Sequence, residues 1–414
     1  MTESIEQAQS TDAALRSRAK AVIPGGMYGH QNARHLPAEF PQFFVRGEGS
    51  RIWDADGNEY VDLMCSYGPI VLGHRHPRVE AAAAAQLARA DCQNGPAPCI
   101  VELAELLVER VEHADWALFA KNGTDATTTC VMAARAGTGR NKVLVAEGAY
   151  HGAAPWCTPR PNGTTPEDRA HLVHYTYNDL PSVEAAIDAV GDDLAAIVVS
   201  PFKHDAGSDQ ELVDVEFARG LRRICDEQDA ALILDDVRCG WRLAHGGSWE
   251  PIGVDPDLSA WSKAMANGYP ISAVLGNDRF RTGANRLFVT GSFWFAAVAM
   301  AAAIETIRTH RDEEAVDRME RAGRLLRQGL DSQAASHGVG IRQTGPVQMP
   351  ELSFEDDAGF DKARLFSATT VRHGAYVHPW HNWFLSAAHS ERDIDRALQA
   401  TEAGFAAVRK TFGD

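Results

Sequence analysis

The chain has 414 residues, of which 45% are hydrophobic and 23% are charged, an ordinary composition for a globular protein of roughly two or three domains. Its 56 acidic residues outnumber 40 basic ones, and this net charge of −16 argues against a nucleic-acid partner. The seven cysteines are scattered without metal-binding spacing, and neither a signal-peptide pattern nor an apolar span of about 18 residues occurs. We therefore expect a cytoplasmic protein with reduced thiols, without a metal site and without a membrane partner.

The N-terminal region predicts a short helix followed by strands. Residues 11–22 form an amphipathic segment, and the PGGMYGH stretch at 24–30 has the composition of a loop. Residues 43–63 (FFVRGEGSRIWDADGNEYVDL) predict short strands around the turn formed by Asp56, Gly57 and Asn58. From residue 76 the periodicity becomes helical, with an alanine-rich helix over 76–90 and a second helix over 101–111.

The central part of the chain alternates between strands and helices. Near-continuous apolar runs of strand length are separated by segments with helical periodicity. This alternation indicates a parallel sheet that is covered by helices on both faces, an α/β fold. The predicted strands lie at 116–120, 142–146, 195–202 and 231–237, and the predicted helices at 125–136, 182–190 and 214–228.

The C-terminal part of the chain is mainly helical beyond residue 293. We expect it to form a smaller α+β domain that the N-terminal strands complete. The expected division is an N-terminal segment at 1–60, a large domain at 61–310 and a C-terminal small domain at 311–414. The predicted helices lie at 296–309, 313–336, 361–373 and 391–410, and the predicted strands near 339–343, 351–354 and 383–387.

The NGTDAT stretch at 122–127 joins a strand to a helix and offers two interpretations. A turn of small residues at a helix start presents free backbone N–H groups and the positive end of the helix dipole, which suits a phosphate. The same residues also fit a simple helix cap, with Thr124 or Asp125 as the capping residue and Gly123 in the turn. Taken alone, the stretch favours the cap.

Two further stretches follow apolar strands. Asp235 and Asp236 end the strand ALILDD, and alternation along a strand keeps their side chains from facing the same side. One of them can be a functional acid in the ligand crevice of an α/β sheet, or both can serve local turns. Tyr150 and His151 follow the strand at 142–146, where they could stack on a planar ligand, act as acid or base, or simply pack.

Lys263 stands alone among apolar residues. Within LSAWSKAMANGYPIS, residues 258–272, it is the only charged side chain. An apolar environment disfavours the ammonium form and leaves a nucleophilic amine that can form a Schiff base, although a single lysine at a strand end more often extends to water. A phosphate cradle, an aromatic face, an acid and an imine-forming lysine, in this chain order, together match the requirements of pyridoxal 5′-phosphate.

At this point the sequence resembles a known family. Motifs along nearly the whole chain are similar to those of the class III aminotransferases of fold type I, and most similar to the glutamate-1-semialdehyde aminomutase branch. The motifs are PGG at 24–26, GSRIWDADGNEYVDL at 49–63, SYGPIVLGHRHP at 66–77, NGTDAT at 122–127, AYHG at 149–152, LDDVRCGWR at 234–242, SKAMANGYP at 262–270, GAYVHP at 374–379 and FLSAAHSERDID at 384–395. The resemblance implies a large domain with a mostly parallel sheet between helices and a smaller α+β domain.

The resemblance also implies roles for single residues. Lys263 stands at the Schiff-base lysine, and Asp235 at the acid that pairs with the pyridine nitrogen of pyridoxal 5′-phosphate. Val237 and Tyr150 match the residues on the two faces of the cofactor ring, with His151 beside Tyr150. The phosphate turn corresponds to Asn122, Gly123 and Thr124.

The resemblance extends to assembly and substrates. Gly291 and Ser292 fall where the family has a Gly-Thr pair that reaches the phosphate of the neighbouring subunit, which implies a homodimer with shared active sites. We expect the aromatic residues 293–295 to pack at the dimer interface. The candidates for the substrate pocket are His30, Arg34, Tyr67 and Trp380.

The implied reaction is transfer of an amino group from an amino acid or amine to a keto acid or aldehyde. It would proceed by a ping-pong mechanism through the Schiff base (internal aldimine) of Lys263. Three alternatives stay open at this point: an intramolecular 2,1-aminomutase, a racemase or epimerase that uses the same cofactor, and a non-catalytic binding protein with this fold.

Overall fold

A computed structural model of the chain describes residues 10–32 and 34–413. The strands are β1 (Phe44–Glu48), β2 (Arg51–Asp54), β3 (Glu59–Asp62), β4 (Trp116–Ala120), β5 (Lys142–Ala146), β6 (Leu172–Tyr175), β7 (Leu194–Val199), β8 (Phe202–Lys203), β9 (Glu211–Leu212), β10 (Ala231–Asp235), β11 (Leu258–Trp261), β12 (Ser272–Gly276), β13 (Ile341–Thr344), β14 (Glu351–Phe354) and β15 (Ala375–Tyr376). The helices are α1 (Thr11–Val22), α2 (Pro77–Leu87), α3 (Cys99–Arg110), α4 (Gly123–Thr138), α5 (Leu180–Val190), α6 (Val215–Glu227), α7 (Asp278–Asn285), α8 (Ala297–Asp312), α9 (Ala315–His337), α10 (Asp361–Arg372) and α11 (Glu391–Phe412).

A seven-stranded sheet forms the centre of the molecule, in the order β4-β12-β11-β10-β7-β5-β6. Neighbouring strands from β11 to β6 pair in parallel, and only β12 runs antiparallel to both of its neighbours. The strands β4, β5, β10 and β11 therefore all point their carboxyl ends to one edge of the sheet. That edge is where open α/β sheets bind ligands.

Alternating side chains bury both faces of this sheet. In β10, Leu232 and Leu234 pack in one apolar cluster with residues of α5 and α6. Ile233 packs in a second cluster on the other face, with residues of α4 and α7. Because every residue of β7 and β10 is buried, their apolar runs are continuous rather than alternating with polar residues.

A four-stranded sheet joins the two ends of the chain. Its order is β1-β2-β3-β15, and β15 lies parallel to β3 although the strands are more than 300 residues apart in sequence. Helices α10 and α11 pack against each other, and α11 also packs against α9. No helix in the described ranges is long and apolar enough to cross a membrane.

Most predicted elements agree with the structure, but one prediction is wrong. Residues 383–387 form no strand; they are a buried extended segment in which Phe384 N–H donates to Leu63 O at 2.8 Å and Leu385 N–H donates to Gln348 O at 3.0 Å. The apolar run reflects burial, because Trp383, Phe384 and Leu385 are each at most 2% exposed. Strands β6, β8, β9, β12 and β15 and helix α7 had no separate prediction.

Candidate active site

Four loops meet at the carboxyl edge of the large sheet. Asn122 follows β4, Tyr150 follows β5, Asp235 ends β10 and Lys263 follows β11. All four side chains line one cavity of about 340 Å³. The parallel arrangement of these strands thus brings together residues that are far apart in sequence.

The start of α4 is both a cap and an open turn. Asn122, and neither Thr124 nor Asp125, is the capping residue: its side chain accepts from the Asp125 N–H at 3.1 Å, and the Asp125 carboxylate accepts from the Asn122 N–H at 3.1 Å. The Gly123 and Thr124 N–H groups have no acceptor within the described chain. They remain available to an anion at the positive end of the helix dipole.

Close packing leaves room at this turn only for glycine. A Cβ atom on Gly123 would lie 2.6 Å from Cγ1 of Val237, and one on Gly152 would lie 2.7 Å from Oγ1 of Thr124. Two hydrogen bonds hold the 150–153 loop against α4: Thr127 Oγ1 donates to His151 O at 2.7 Å, and Ala153 N–H donates to Thr124 Oγ1 at 3.0 Å. The backbone around the turn is therefore fixed before any ligand binds.

Asp235 is oriented by His151. The His151 Nδ1 atom lies 2.7 Å from Asp235 Oδ2, and the Val237 N–H donates to Asp235 Oδ1 at 3.2 Å. Asp235 and His151 are both buried, and His151 Nε2 has no hydrogen-bond partner among the described residues. This arrangement holds the carboxylate in one orientation inside the cavity.

Asp236 faces away from Asp235, as strand alternation predicts. Its carboxylate accepts hydrogen bonds from the backbone N–H of Ser248, at 2.9 Å, and from the Ser248 hydroxyl. Burial raises the pKa of Asp236 to about 7, the hydrogen bonds from Ser248 lower it, and the charge of Asp235 raises it. Asp236 thus serves the local structure, while Asp235 faces the cavity.

Lys263 combines a strained backbone with a destabilised charge. Its φ angle is +42°, in the left-handed region that side chains other than glycine rarely adopt. Its methylene chain packs on Gly68, where an added Cβ atom would lie 3.3 Å from Lys263 Cδ. Burial, followed by the positive charge of Arg238, lowers the pKa of Lys263 to about 7. The amine is therefore substantially neutral near pH 7.

The two residues predicted for the faces of a planar ligand both line the cavity. Val237 is half-buried beside Gly123, whereas the Tyr150 side chain is 42% exposed. Burial raises the pKa of the Tyr150 hydroxyl, which keeps it protonated. Both side chains can contact a ring placed between the Gly123 turn and Lys263.

None of the four predicted substrate residues, His30, Arg34, Tyr67 and Trp380, lines the cavity that contains Lys263. The His30 and Tyr67 rings stack at 5.2 Å, and each meets the buried His381 ring edge-on, at 5.1 and 5.2 Å. Trp380 packs against His378 at 5.1 Å and does not line the cavity that contains Lys263. Arg34 is exposed and does not line this cavity either.

Gly291 and Ser292 do not reach the cavity of their own chain. They lie between α7 and α8, and Ser292 is exposed. Three exposed aromatic side chains flank them: Phe288 is 93% exposed, Phe293 63% and Phe295 42%. This segment forms an apolar surface patch.

Several cavity residues had no functional prediction, although Thr127 and Gly152 lie within the quoted motifs. Arg238 directly follows Val237 and is only 9% exposed. Its place in the LDDVRCGWR motif is the one available signal, whereas His204 comes from the loop after β8, which carries no recognisable pattern. The unpredicted lining residues are Thr127, Gly152, His204, Arg238 and Ser262.

The chain is similar to known proteins over most of its length. The model of the family described as aminotransferase class-III matches residues 33–388. An aminopentol aminotransferase from Sphingopyxis macrogoltabida is 52% identical over 398 residues, with 96% of this chain and 94% of the relative covered. A glutamate-1-semialdehyde 2,1-aminomutase from Chloroherpeton thalassium is 30% identical, with 97% of this chain and 99% of the relative covered.

A solved structure has the same fold. The PLP internal aldimine form of the FumI protein from Sphingopyxis sp. MTA144 superposes with a TM-score of 0.96 at 51% identity, with 97% of each chain covered. The chain belongs to the class-III aminotransferases, pyridoxal 5′-phosphate-dependent enzymes of fold type I.

Proposed function

We propose that this aminotransferase uses Lys263 both to hold pyridoxal 5′-phosphate and to move a proton at the reacting carbon of the substrate. The observation that carries the proposal is the convergence of Lys263, Asp235 and the Gly123 turn in one cavity. When bound, the cofactor supplies a ring that accepts electrons from the substrate carbon. The chain's own residues bind and orient the cofactor and transfer the proton.

The cavity fits this cofactor in three ways. The unpaired N–H groups of Gly123 and Thr124 suit its phosphate, and the space at Gly123 admits no side chain. The carboxylate of Asp235, held by His151, suits a protonated ring nitrogen. The amine of Lys263 suits an aldehyde carbon, because burial favours its neutral, nucleophilic form.

Lys263 is also suited to proton transfer. With a pKa near 7, its Nζ atom can accept and return a proton with little cost in either direction at neutral pH. The left-handed backbone at Lys263 and the tight packing on Gly68 restrict where the amine can move. The side chain therefore returns to the same position between the two half-reactions.

We propose that the amino donor is an aliphatic amino alcohol rather than a common α-amino acid. The 52% identity with an aminopentol aminotransferase supports this class of donor. The rings of His30, Tyr67, His378 and His381 next to the cavity supply hydrogen-bonding groups without a formal charge, because burial lowers the pKa of these histidines. Neutral donors and acceptors suit hydroxyl groups.

We further propose a homodimer in which Ser292 contributes to the active site of the partner subunit. The exposed side chains of Phe288, Phe293 and Phe295 support this assembly, because large apolar side chains are costly to leave in water. Phe293→Asp should convert the dimer to a monomer in sedimentation analysis and lower activity. A dimer that persists with full activity contradicts the proposal.

We propose a reducing, cytoplasmic location on the basis of the cysteines. All seven are free in the structure, and five are buried. Thiol titration of protein purified without reductant should find seven reactive groups after denaturation.

The donor half-reaction tests the function directly. Protein purified with pyridoxal 5′-phosphate should be yellow, and the absorbance band should bleach when a reactive amine is added without an acceptor. A screen of 2-amino alcohols against α-amino acids of equal chain length should show faster bleaching by the amino alcohols. A colourless protein that ignores added cofactor contradicts the proposal.

The same screen separates the alternatives. An aminomutase would release an isomer of its substrate without any added acceptor, and the 30% identity with a glutamate-1-semialdehyde 2,1-aminomutase makes this control necessary. A racemase or epimerase would return the amine with inverted configuration. A non-catalytic binding protein would keep its yellow band with every amine.

A further inference from the structure

Arg238 is a buried cation in the active-site cavity that has no anionic partner. It is 9% exposed and lines the same cavity as Lys263. Across residues 10–32 and 34–413, no Asp or Glu oxygen lies within ion-pair distance of its guanidinium group. A buried charge without an anionic partner is costly, so the hydrogen bonds of the guanidinium group decide whether such an arginine is structural or free to bind a ligand.

Within the part of the chain that the structure describes, the guanidinium group donates hydrogen bonds from one of its three nitrogens. Nη1 donates to His204 O at 3.0 Å and to Asn382 Oδ1 at 3.2 Å. Nε and Nη2 have no acceptor in the described chain, and both atoms keep some solvent-accessible surface. They are therefore accessible from the cavity and leave a free edge of two nitrogens, the geometry that binds a carboxylate through two parallel hydrogen bonds.

Arg242, four residues further along the chain, shows what a structural arginine looks like in this protein. Its Nη2 donates to Gly68 O at 2.7 Å and to Ile70 O at 3.2 Å, and its Nη1 donates to Leu385 O. Arg242 is fully buried and does not line the cavity. The contrast indicates that the free edge of Arg238 is a property of its position and not of buried arginines in this fold.

The surroundings of Arg238 do not neutralise its charge. Burial lowers the pKa of His204 and of His381, and the charge of Arg238 lowers both further, so these rings are uncharged at neutral pH. Burial raises the pKa of Glu351, the acid on β14, to about 8, which leaves that side chain largely protonated. The carboxylate of Asp235 is already held by His151. Burial likewise raises the pKa of Asp205, another acid close enough to act on Arg238. Because neither Asp205 nor Asp235 forms an ion pair with the guanidinium group, its unpaired nitrogens remain available to an anionic ligand.

We propose that Arg238 binds the carboxylate of a 2-keto acid that serves as the amino acceptor. The inference rests on the proposed aminotransferase function and extends it to the second substrate. An amino-alcohol donor carries no carboxylate, so the cavity must accept a neutral chain in one half-reaction and an anion in the other. The free edge of Arg238 serves the second task, while the neutral rings serve the first.

The acceptor half-reaction tests this assignment in the wild-type holoenzyme. Protein loaded with pyridoxamine 5′-phosphate should regain its yellow band when pyruvate is added, and we expect half-saturation at a concentration at least about tenfold lower than for hydroxyacetone, the methyl ketone that lacks the carboxylate. Propionate should compete with pyruvate, and 1-propanol should not. Equal use of the two ketones, together with no inhibition by propionate, overturns the proposal without any variant.

Two variants assign the effect to Arg238. Arg238→Gln should weaken half-saturation by pyruvate at least about tenfold and leave that for hydroxyacetone within about twofold, because only the carboxylate loses its partner. Arg238→Lys should recover part of the loss, since it keeps the charge without the planar fork. Unchanged circular dichroism and an unchanged yellow band in the pyridoxal 5′-phosphate form show that each variant is folded and loaded.

Two outcomes contradict the assignment. An equal loss with pyruvate and hydroxyacetone means that Arg238 acts on the cofactor or on the loop at His204. A pyruvate-specific loss in Arg34→Gln, with none in Arg238→Gln, means that the exposed arginine predicted from sequence binds the carboxylate. Both measurements begin from the aminated cofactor, so they remain interpretable even if every tested amine fails as a donor.

Discussion

The proposed active site has two parts that are built in different ways. The cofactor half is the cavity that contains Lys263, and the substrate half is a group of neighbouring rings outside the lining of that cavity. The cofactor half consists of short motifs at the ends of neighbouring strands, joined by close hydrogen bonds such as the 2.7 Å contact between His151 and Asp235. The substrate half is assembled from rings that come from separate parts of the chain, including His30, Tyr67 and His381, with centroids more than 5 Å apart. Strand topology therefore determines the first half, whereas packing of loops determines the second.

This difference predicts which substitutions abolish the chemistry and which only change the choice of substrate. We propose that residues of the cofactor half act in both half-reactions and with every substrate. Residues of the substrate half act on one substrate at a time. The substitutions below test that division, beginning with the largest expected effect.

Lys263→Ala should abolish turnover. We expect a loss of more than about 10³-fold in kcat, because the variant lacks both the nucleophile and the proton-transfer group. The yellow band should disappear although the variant can still bind the cofactor noncovalently. Measurable activity with an unchanged spectrum would show that another amine forms the Schiff base and transfers the proton.

Asp235→Asn should slow both half-reactions by about 10²–10³-fold, because a neutral amide does not stabilise a protonated ring nitrogen. His151→Gln should cost less, since it removes only the group that orients the carboxylate. Single-turnover rates for both half-reactions measure the effect. A loss confined to one half-reaction would place Asp235 in the substrate half.

The pH dependence of cofactor capture should follow Lys263. Burial lowers its pKa to about 7, so the nucleophilic neutral amine predominates above that pH and is lost as the pH falls. Formation of the yellow band by apoprotein should therefore slow by about 50-fold between pH 7 and pH 5. Binding of pyridoxamine 5′-phosphate, which has no aldehyde, is the control and should not show this dependence on the lysine.

Gly123→Ala should weaken cofactor binding by about tenfold, because its Cβ atom would lie 2.6 Å from Val237 Cγ1 and displace the phosphate turn. Gly95→Ala is a matched control, since a Cβ atom there has nothing within 4 Å. Fluorescence titration of apoprotein with cofactor measures both. If the two variants bind the cofactor with equal affinity, the Gly123 turn does not contribute to cofactor binding.

Tyr67→Phe should have the smallest effect and should act on the donor alone. Its hydroxyl accepts a hydrogen bond from Gln31 Nε2 at 2.9 Å and adjoins the neutral rings. We expect a rise of about three- to tenfold in the KM for an amino-alcohol donor, with unchanged KM for pyruvate. An equal change for both substrates would contradict the division between the two halves.

Much of the fold follows from local pattern. The strands at 116–120 and 142–146 have the predicted bounds, and the helices α6 and α10 nearly so, because buried strands and amphipathic helices have distinct apolar periods. The segment at 383–387 failed because a buried extended loop has the same apolar pattern as a strand. Its backbone bonds go to Leu63, Gln348 and Pro350, which only the folded chain brings near.

The sequence by itself determined the cofactor chemistry of this protein. Lys263, Asp235, Tyr150 and the Gly123 turn each follow a strand of the same sheet, so their meeting at one edge is a consequence of parallel topology. Only the tertiary structure decided the charge of the cavity. Burial suppresses the charge of the neighbouring histidines. The folded chain also leaves Arg34 exposed to solvent and Arg238 with unpaired nitrogens. No local sequence pattern encodes which side chain a distant loop will cover.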